Sequence, residues 1–122
     1  MSVNLYVLPS MDGTRTLDPR IAGVIQSMHG VTDWHDSDDC SSFAGCWYRR
    51  DGDEFEIEID ERLRAFILYG TCDAALKLAM DITEAYGEPL FLVEGDNPSG
   101  ALQLTTGMSV NEVRQHMRQP TA

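Results

Sequence analysis

The dipeptide Asp51-Gly52 lies between two segments in which every second residue is apolar, and it constrains the fold more than any other feature of the chain. Aspartate followed by glycine is typical of a two-residue β-hairpin turn, because both central positions need positive φ. The pattern therefore predicts that residues 44–49 and 54–59 pair as antiparallel strands with Arg50 opposite Asp53. This register places one set of side chains on a common face, which we expect to face the core: Ala44, Cys46, Tyr48, Phe55, Ile57 and Ile59.

A third strand at residues 63–69 is expected to extend this hairpin into a meander after a turn at residues 60–62. A turn of odd length keeps the odd-numbered residues of the third strand, including Ile67, on the core face. The second face then carries a tryptophan, acids, arginines and apolar residues together: Trp47, Arg49, Glu54, Glu56, Glu58, Arg64, Phe66 and Leu68. Two arrangements are open at this point, because this face is either covered by a helix as a second small core or left exposed.

Opposite charges face each other across the second face of the predicted meander. Arg49 is expected to pair with Glu54, and Arg64 with Glu58, each pair contributing a few tenths of a kcal/mol. Glu56 would then have no cationic neighbour on the sheet and would lie beside Trp47.

Apolar periodicity and turn residues predict the remaining elements. Three more strands are expected, at residues 3–8, 90–93 and 101–105, with a loop at residues 95–100 between the last two. Three helices are expected, with the following signals: Asp18-Pro19 at the start and Gly30 at the end of the first, Thr71 and Gly87 for the second, and a Ser109–Glu112 capping box for the third. The predicted order is β-α-β-β-β-α-β-β-α. We therefore expect a single α+β domain over residues 1–122, with an antiparallel-rich sheet around a central three-stranded meander, helices mainly on one face, and a frayed tail at residues 118–122.

The charge of the chain is strongly acidic and unevenly distributed. Twenty acids and nine bases give a net charge of -11, and residues 33–61 alone hold eleven acids against two bases. Such a surface repels a phosphate backbone, so direct nucleic-acid binding is not expected. A one-sided negative field steers basic partners, although solubility is an equally simple reason for the same charge.

Compartment signals are consistent with one another. Three cysteines at irregular spacing do not form a disulfide framework and suit a reducing environment. The first residues, MSVNLYVLPSMDG, lack the basic and apolar regions of a secretory signal, and no apolar stretch approaches the roughly 20 residues that cross a bilayer. A cytoplasmic protein without membrane segments is expected.

The segment DWHDSDDC, residues 33–40, is the one place where the sequence allows a metal site or a catalytic site to be proposed. His35, Cys40 and Cys46 are ligand types that zinc accepts, but they lack the paired spacing of a zinc site. A Cys40 nucleophile with His35 as its base is also conceivable, although acidic neighbours raise the pKa of a thiol. We expect no metal, no cofactor and no catalytic residue, and keep as the alternative a small enzyme or metal-dependent domain that uses His35 and its neighbours.

Protein recognition is the function that the acidic and aromatic residues favour. Aromatic anchors surrounded by charges are typical of protein interfaces. The predicted partner-binding residues are Asp33, Trp34, Asp36, Asp38, Asp39, Trp47, Glu54, Glu56 and Glu58. The hypothesis is a bacterial immunity or antitoxin-type inhibitor that docks on a basic protein such as a toxin or nuclease domain, with a nucleic-acid mimic as a related possibility.

Overall fold

The computed structural model describes residues 4–36, 42–70, 72–95, 97–104 and 107–118, and these form one α+β domain. Its described strands build a single antiparallel sheet of seven strands in the order β2-β3-β4-β5-β1-β6-β7. The elements along the chain are β1 (Leu5–Leu8), α1 (Ile21–Gln26), β2 (Val31–Asp36), β3 (Ser42–Arg50), β4 (Asp53–Asp60), β5 (Phe66–Leu68), α2 (Asp73–Tyr86), β6 (Leu90–Glu94), β7 (Asn97–Leu104) and α3 (Val110–Arg118). The predicted fold class is confirmed.

All three helices bury side chains against the same face of the sheet, which we call the inner face. Ile25 of α1, Leu76 of α2 and Val113 of α3 are each fully buried in one apolar cluster with the inward side chains of the strands. None of the described residues of the opposite, outer face belongs to that cluster, although Val93 of this face is itself buried. No described helix is long and apolar enough to span a membrane.

The Asp51-Gly52 hairpin forms as predicted. Both residues have positive φ, 54° and 87°, and Arg50 lies opposite Asp53. The remaining pairs follow the predicted register, including Tyr48 opposite Phe55, whose rings stack with centroids 4.8 Å apart. The turn therefore sets which side chains of β3 and β4 enter the core.

The predicted order has no strand between the first helix and residues 44–49, but residues 31–36 form the edge strand β2. Thr32 pairs with Trp47, but the next outward residue to pair is His35, opposite Gly45. Two residues of β2 thus face one of β3, which is a β-bulge, and Asp33 takes a left-handed φ of 57° at this point. The extra residue turns the side chain of Trp34 toward the inner face.

The predicted register of the third meander strand is wrong. The observed pairs are Ile57 with Leu68 and Ile59 with Phe66, so the turn is longer than three residues and its parity is reversed. Leu63 adopts a left-handed φ of 58°, and its backbone bonds to Asp60 and to Leu17 hold this longer turn. Phe66 and Leu68 are consequently fully buried in the core, and Ile67 is on the outer face.

The first helix is shorter than predicted, because α1 has Arg20 at its N-cap instead of Asp18 and ends at Ser27 instead of Gly30. The predicted end of α2 and the start of α3 are confirmed. Helix α2 ends at Gly87 with φ of 82°, and α3 begins with the predicted capping bond, in which the Glu112 N–H donates to Ser109 Oγ at 3.1 Å. The predicted loop at residues 95–100 is wrong, because β7 already pairs from Asn97 opposite Glu94. Thr71, the predicted start of α2, and residues 119–122 of the predicted frayed tail lie outside the described residues.

Candidate protein interface

The outer face combines an acidic half on β3 and β4 with an apolar half on β5, β1 and β6. Strand alternation directs three glutamates of β4 outward, and we call them the acidic row: Glu54, Glu56 and Glu58. The same alternation directs another set outward, and we call it the apolar strip: Tyr6, Leu8, Ile67, Phe91 and Val93. The two halves adjoin directly, because Glu58 pairs with Ile67 and Ile67 with Tyr6.

One arginine compensates the end of the acidic row nearest the hairpin turn. Arg49 forms an ion pair with Glu54 at 3.3 Å and another with Asp33 across the bulge. Its guanidinium also lies 5.1 Å from the centroid of the Trp47 ring. The hydrogen bond to Asp33 raises the pKa of Arg49. The side chains of Arg49, Asp33 and Glu54 are 43%, 56% and 57% exposed, so water screens both ion pairs and each contributes little to stability.

The middle of the acidic row lacks a cationic partner within the part of the chain that the structure describes. Glu56 lies opposite Trp47 as predicted, and neither it nor Glu58 forms an ion pair with any described residue. Both side chains are half-buried. Glu58 accepts a hydrogen bond from the Tyr69 hydroxyl at 3.3 Å. Burial, together with the charges of Glu58 and Glu56, raises the pKa of Tyr69 to about 12, so the phenol stays protonated and acts as a donor.

Asp60, the last outward carboxylate of β4, is compensated within the chain. Arg64 Nε lies 3.2 Å from its Oδ2, and the backbone N–H groups of Arg62 and Arg64 donate to the same oxygen. Although burial opposes the ionised form, these hydrogen bonds lower the pKa of Asp60. The predicted Arg64–Glu58 pair is therefore wrong, because the longer turn brings Arg64 to Asp60. Among the described outward carboxylates of β4 at Glu54, Glu56, Glu58 and Asp60, only Glu56 and Glu58 therefore have no cationic partner.

The structure separates the predicted partner-binding residues into two groups. Asp33 joins Trp47 and the acidic row on the outer face through its pair with Arg49. Trp34 packs against the inner core cluster and does not lie beside Trp47. Asp36 ends β2 with its side chain outside the described set, and Asp38 and Asp39 lie outside the described residues.

The apolar strip was missed by the sequence reasoning, although its signal is present. Its residues alternate with core residues on β1 and β6, and Ile67 joins them only through the observed parity of β5. Val93 is 7% exposed and Tyr69, beside the strip, is 36% exposed. A Cβ at Gly95 would lie 3.2 Å from the Tyr6 ring, which places that ring over the end of the strip. Val93 is thus buried, and the other four residues of the apolar strip are half-buried.

His35 lies on the outer face of the sheet, and Cys46, another of the three candidate zinc ligands, lies on the inner face. The imidazole is exposed against Gly45, with Nδ1 3.2 Å from the Asp33 carbonyl oxygen. Cys46 is buried on the opposite face, where burial and the charge of Glu56 raise the pKa of its thiol to about 11. Cys40 lies outside the described residues, and no group of three metal-ligating side chains occurs among those described.

A groove of about 640 Å³ lies between α2 and the start of α3. Its lining includes Lys77, Met80 and Met108 but neither a histidine nor a cysteine. Lys77 is paired with Asp81 at 2.9 Å on the rim. The one serine of the lining, Ser109, donates from its hydroxyl to Glu112 Oε1 at 3.2 Å within the cap of α3.

Comparison with known proteins assigns no family to this chain. The chain matches no protein-family model, and no curated protein or solved structure is significantly similar to it. Functional inference consequently depends on the surface chemistry described above.

Proposed function

We propose that this chain is a small non-enzymatic binding domain that docks on a basic protein through the acidic row and Trp47. The observation that carries the proposal is the pair of half-buried carboxylates, Glu56 and Glu58, that have no cation among the described residues. Partly desolvated charges of one sign are attracted more strongly to an opposite charge than fully hydrated ones. A lysine or arginine of a partner would supply the missing charge.

Trp47 provides the aromatic anchor of this interface. It lies directly opposite Glu56 and is half-buried beneath the Arg49 guanidinium. Tryptophan is enriched at the energetic centres of protein interfaces, where surrounding polar groups exclude water. The arrangement places an anchor and an uncompensated charge side by side.

An immunity or antitoxin-type inhibitor acting in a bacterial cytoplasm is the concrete form of this proposal. Glu54, Glu56 and Glu58 repeat at about 6.8 Å along an extended strand. Such a line of carboxylates suits a partner whose own surface is built to bind phosphates, and a toxic nuclease is one such protein. The same row would serve a nucleic-acid mimic, so both versions share one binding chemistry.

The test is affinity capture from a lysate of the source organism at low and high salt. Wild-type chain is expected to retain a basic protein at low salt and to lose much of it at high salt, because screening weakens charge attraction. The double variant Trp47→Ala/Glu56→Lys should lose the partner, whereas Glu84→Lys, an exposed site on α2, should keep it. Retention by the double variant, with circular dichroism showing an intact fold, would refute the proposed interface.

A growth assay tests the inhibitor version separately. If the captured protein is toxic when expressed alone, co-expression of wild-type chain should restore growth and the double variant should not. A captured partner that is neither toxic nor catalytic would exclude the inhibitor version.

A further inference from the structure

The apolar strip extends beyond the acidic row and has a shape of its own. Glu58, Ile67, Tyr6 and Val93 follow one another across β4, β5, β1 and β6. A spacing of about 4.8 Å between strands makes this row about 14 Å wide. No described helix packs over it, since the described helices bury their side chains on the inner face.

These dimensions match a single α-helix laid along the strands. A helix with its side chains is about 10–12 Å wide, so it would cover β5, β1 and β6 and reach the edge of β4. The longest of these strands, β6, has five residues and is therefore about 17 Å long. A helical segment of about eleven residues, or three turns, spans that length.

Charge on the two sides of the strip is unequal. Glu58 borders it directly at Ile67, and Glu56 lies one row away beside Tyr69. On the other side, Gln103 of β7 lies opposite Phe91 and is neutral. A helix seated on the strip therefore meets carboxylates along one flank and a neutral amide along the other.

We propose that the apolar strip receives one amphipathic helix of the basic partner, with lysine or arginine on the flank that lies over Glu56 and Glu58. This inference rests on the proposed function and specifies the element that the partner presents. A second copy of this chain fits less well, because each copy carries a net charge of -11 and would bring its own acidic row to the same contact.

The experiment uses the full chain and two synthetic helical peptides of about fifteen residues. Both carry leucine at positions i, i+3, i+4 and i+7, one with lysine and the other with glutamate on one flank of that stripe. Calorimetry at low salt is expected to show binding of the lysine peptide and at least tenfold weaker binding of the glutamate peptide. Equal binding of both peptides, or binding of neither, would overturn the proposal.

Variants separate the strip from the acidic row. Ile67→Thr keeps a β-branched residue and should weaken the lysine peptide about tenfold by removing apolar contact. Val31→Thr, at a half-buried site on the inner side of β2, is the matched control and should leave binding unchanged. Light scattering on the free chain should show a monomer, and a dimer that Ile67→Lys dissociates would identify a second copy as the occupant and overturn the proposal.

The two proposals fail in different ways. If Glu56→Gln/Glu58→Gln abolishes capture of the partner but Ile67→Thr leaves it unchanged, the strip is not used and only the further inference is wrong. If neither change affects capture, the proposed function itself is wrong. Glu84→Gln serves as the control for the carboxylate changes.

Discussion

Replacing Phe66 by alanine should destabilise the domain far more than the same change at its neighbour Ile67. In the structure Phe66 is fully buried between the sheet and the helices, whereas Ile67 is half-buried on the outer face. A three-residue turn after β4 would exchange these environments, because it reverses the parity of β5. The pair of variants therefore tests the register that creates the apolar strip.

The expected magnitudes differ enough to be distinguished. Truncating a fully buried phenylalanine to alanine costs about 3–5 kcal/mol in free energy of unfolding, through lost burial and the cavity left behind. Ile67→Ala removes fewer buried methylene groups and should cost about 1–2 kcal/mol. For a domain of this length the larger loss corresponds to a decrease in Tm of roughly 12–20 °C.

Urea unfolding followed by far-UV circular dichroism measures both values. The m-value should stay the same in both variants, since the surface exposed on unfolding hardly changes. If Phe66→Ala does not fold, the milder pair Phe66→Leu and Ile67→Val keeps the comparison possible, and the change at the fully buried Phe66 should again cost more. A cost at Ile67 equal to or above that at Phe66 would refute the observed register of β5.

Three further outcomes follow from named contacts. Tyr69 should ionise near pH 12 by ultraviolet titration and at lower pH after Glu58→Gln, and an unchanged titration in the variant would contradict the contact. Because the folded pKa of Tyr69 exceeds the ordinary value of 10, its contribution to stability is complete below pH 10 and is lost between pH 10 and 12. Gly30→Ala should lower the free energy of unfolding in urea by about 2 kcal/mol or more, because φ is 97° and the new Cβ would lie 2.8 Å from the Tyr48 ring. An unchanged free energy of unfolding would contradict the conformation of that turn. The Cys46 thiol should react slowly with a disulfide reagent in the folded state and fast in urea, because burial and the charge of Glu56 raise its pKa to about 11. Fast labelling of the folded chain would place Cys46 outside the core.

Local signals with a single physical solution were predictable from the sequence. Asp51-Gly52 demands positive φ at two consecutive residues, and only the tight hairpin uses both. Gly87 ends α2 and Ser109 caps α3 for similarly local reasons. The hairpin carries the acidic row, so the position of this row and the isolation of Glu56 could be predicted.

Edge pairing and longer turns were not predictable by the same reasoning. Strand β2 has a polar sequence and a bulge at Asp33, so neither composition nor strict alternation indicates a strand there. The turn before β5 contains no glycine, yet Leu63 takes the left-handed conformation, supported by long-range contact with Leu17. Burial of Phe66 stabilises this arrangement, and that is a tertiary effect.

The apolar strip was missed for a related reason. Strand β6 is almost wholly apolar, and such strands are typical of sheets covered on both faces. Here Leu90 and Leu92 face the helices, while Phe91 and Val93 pack beside Leu8 and Tyr6 on the outer face. Only the strand order, which places β1 between β5 and β6, brings these residues together.

Isoleucine methyl spectra of the chain mixed with its captured partner show which face of the sheet the partner contacts. The sequence contains six isoleucines, and Ile67 lies on the outer face, whereas Ile21, Ile25, Ile57, Ile59 and Ile82 are buried in the core. With selective ¹³C labelling of the δ1 methyl groups, we expect the Ile67 signal to shift strongly on binding, while those of the helix residues Ile21, Ile25 and Ile82 stay in place. An unchanged Ile67 signal in a saturated complex, or larger shifts at the helices, would contradict docking through the outer face.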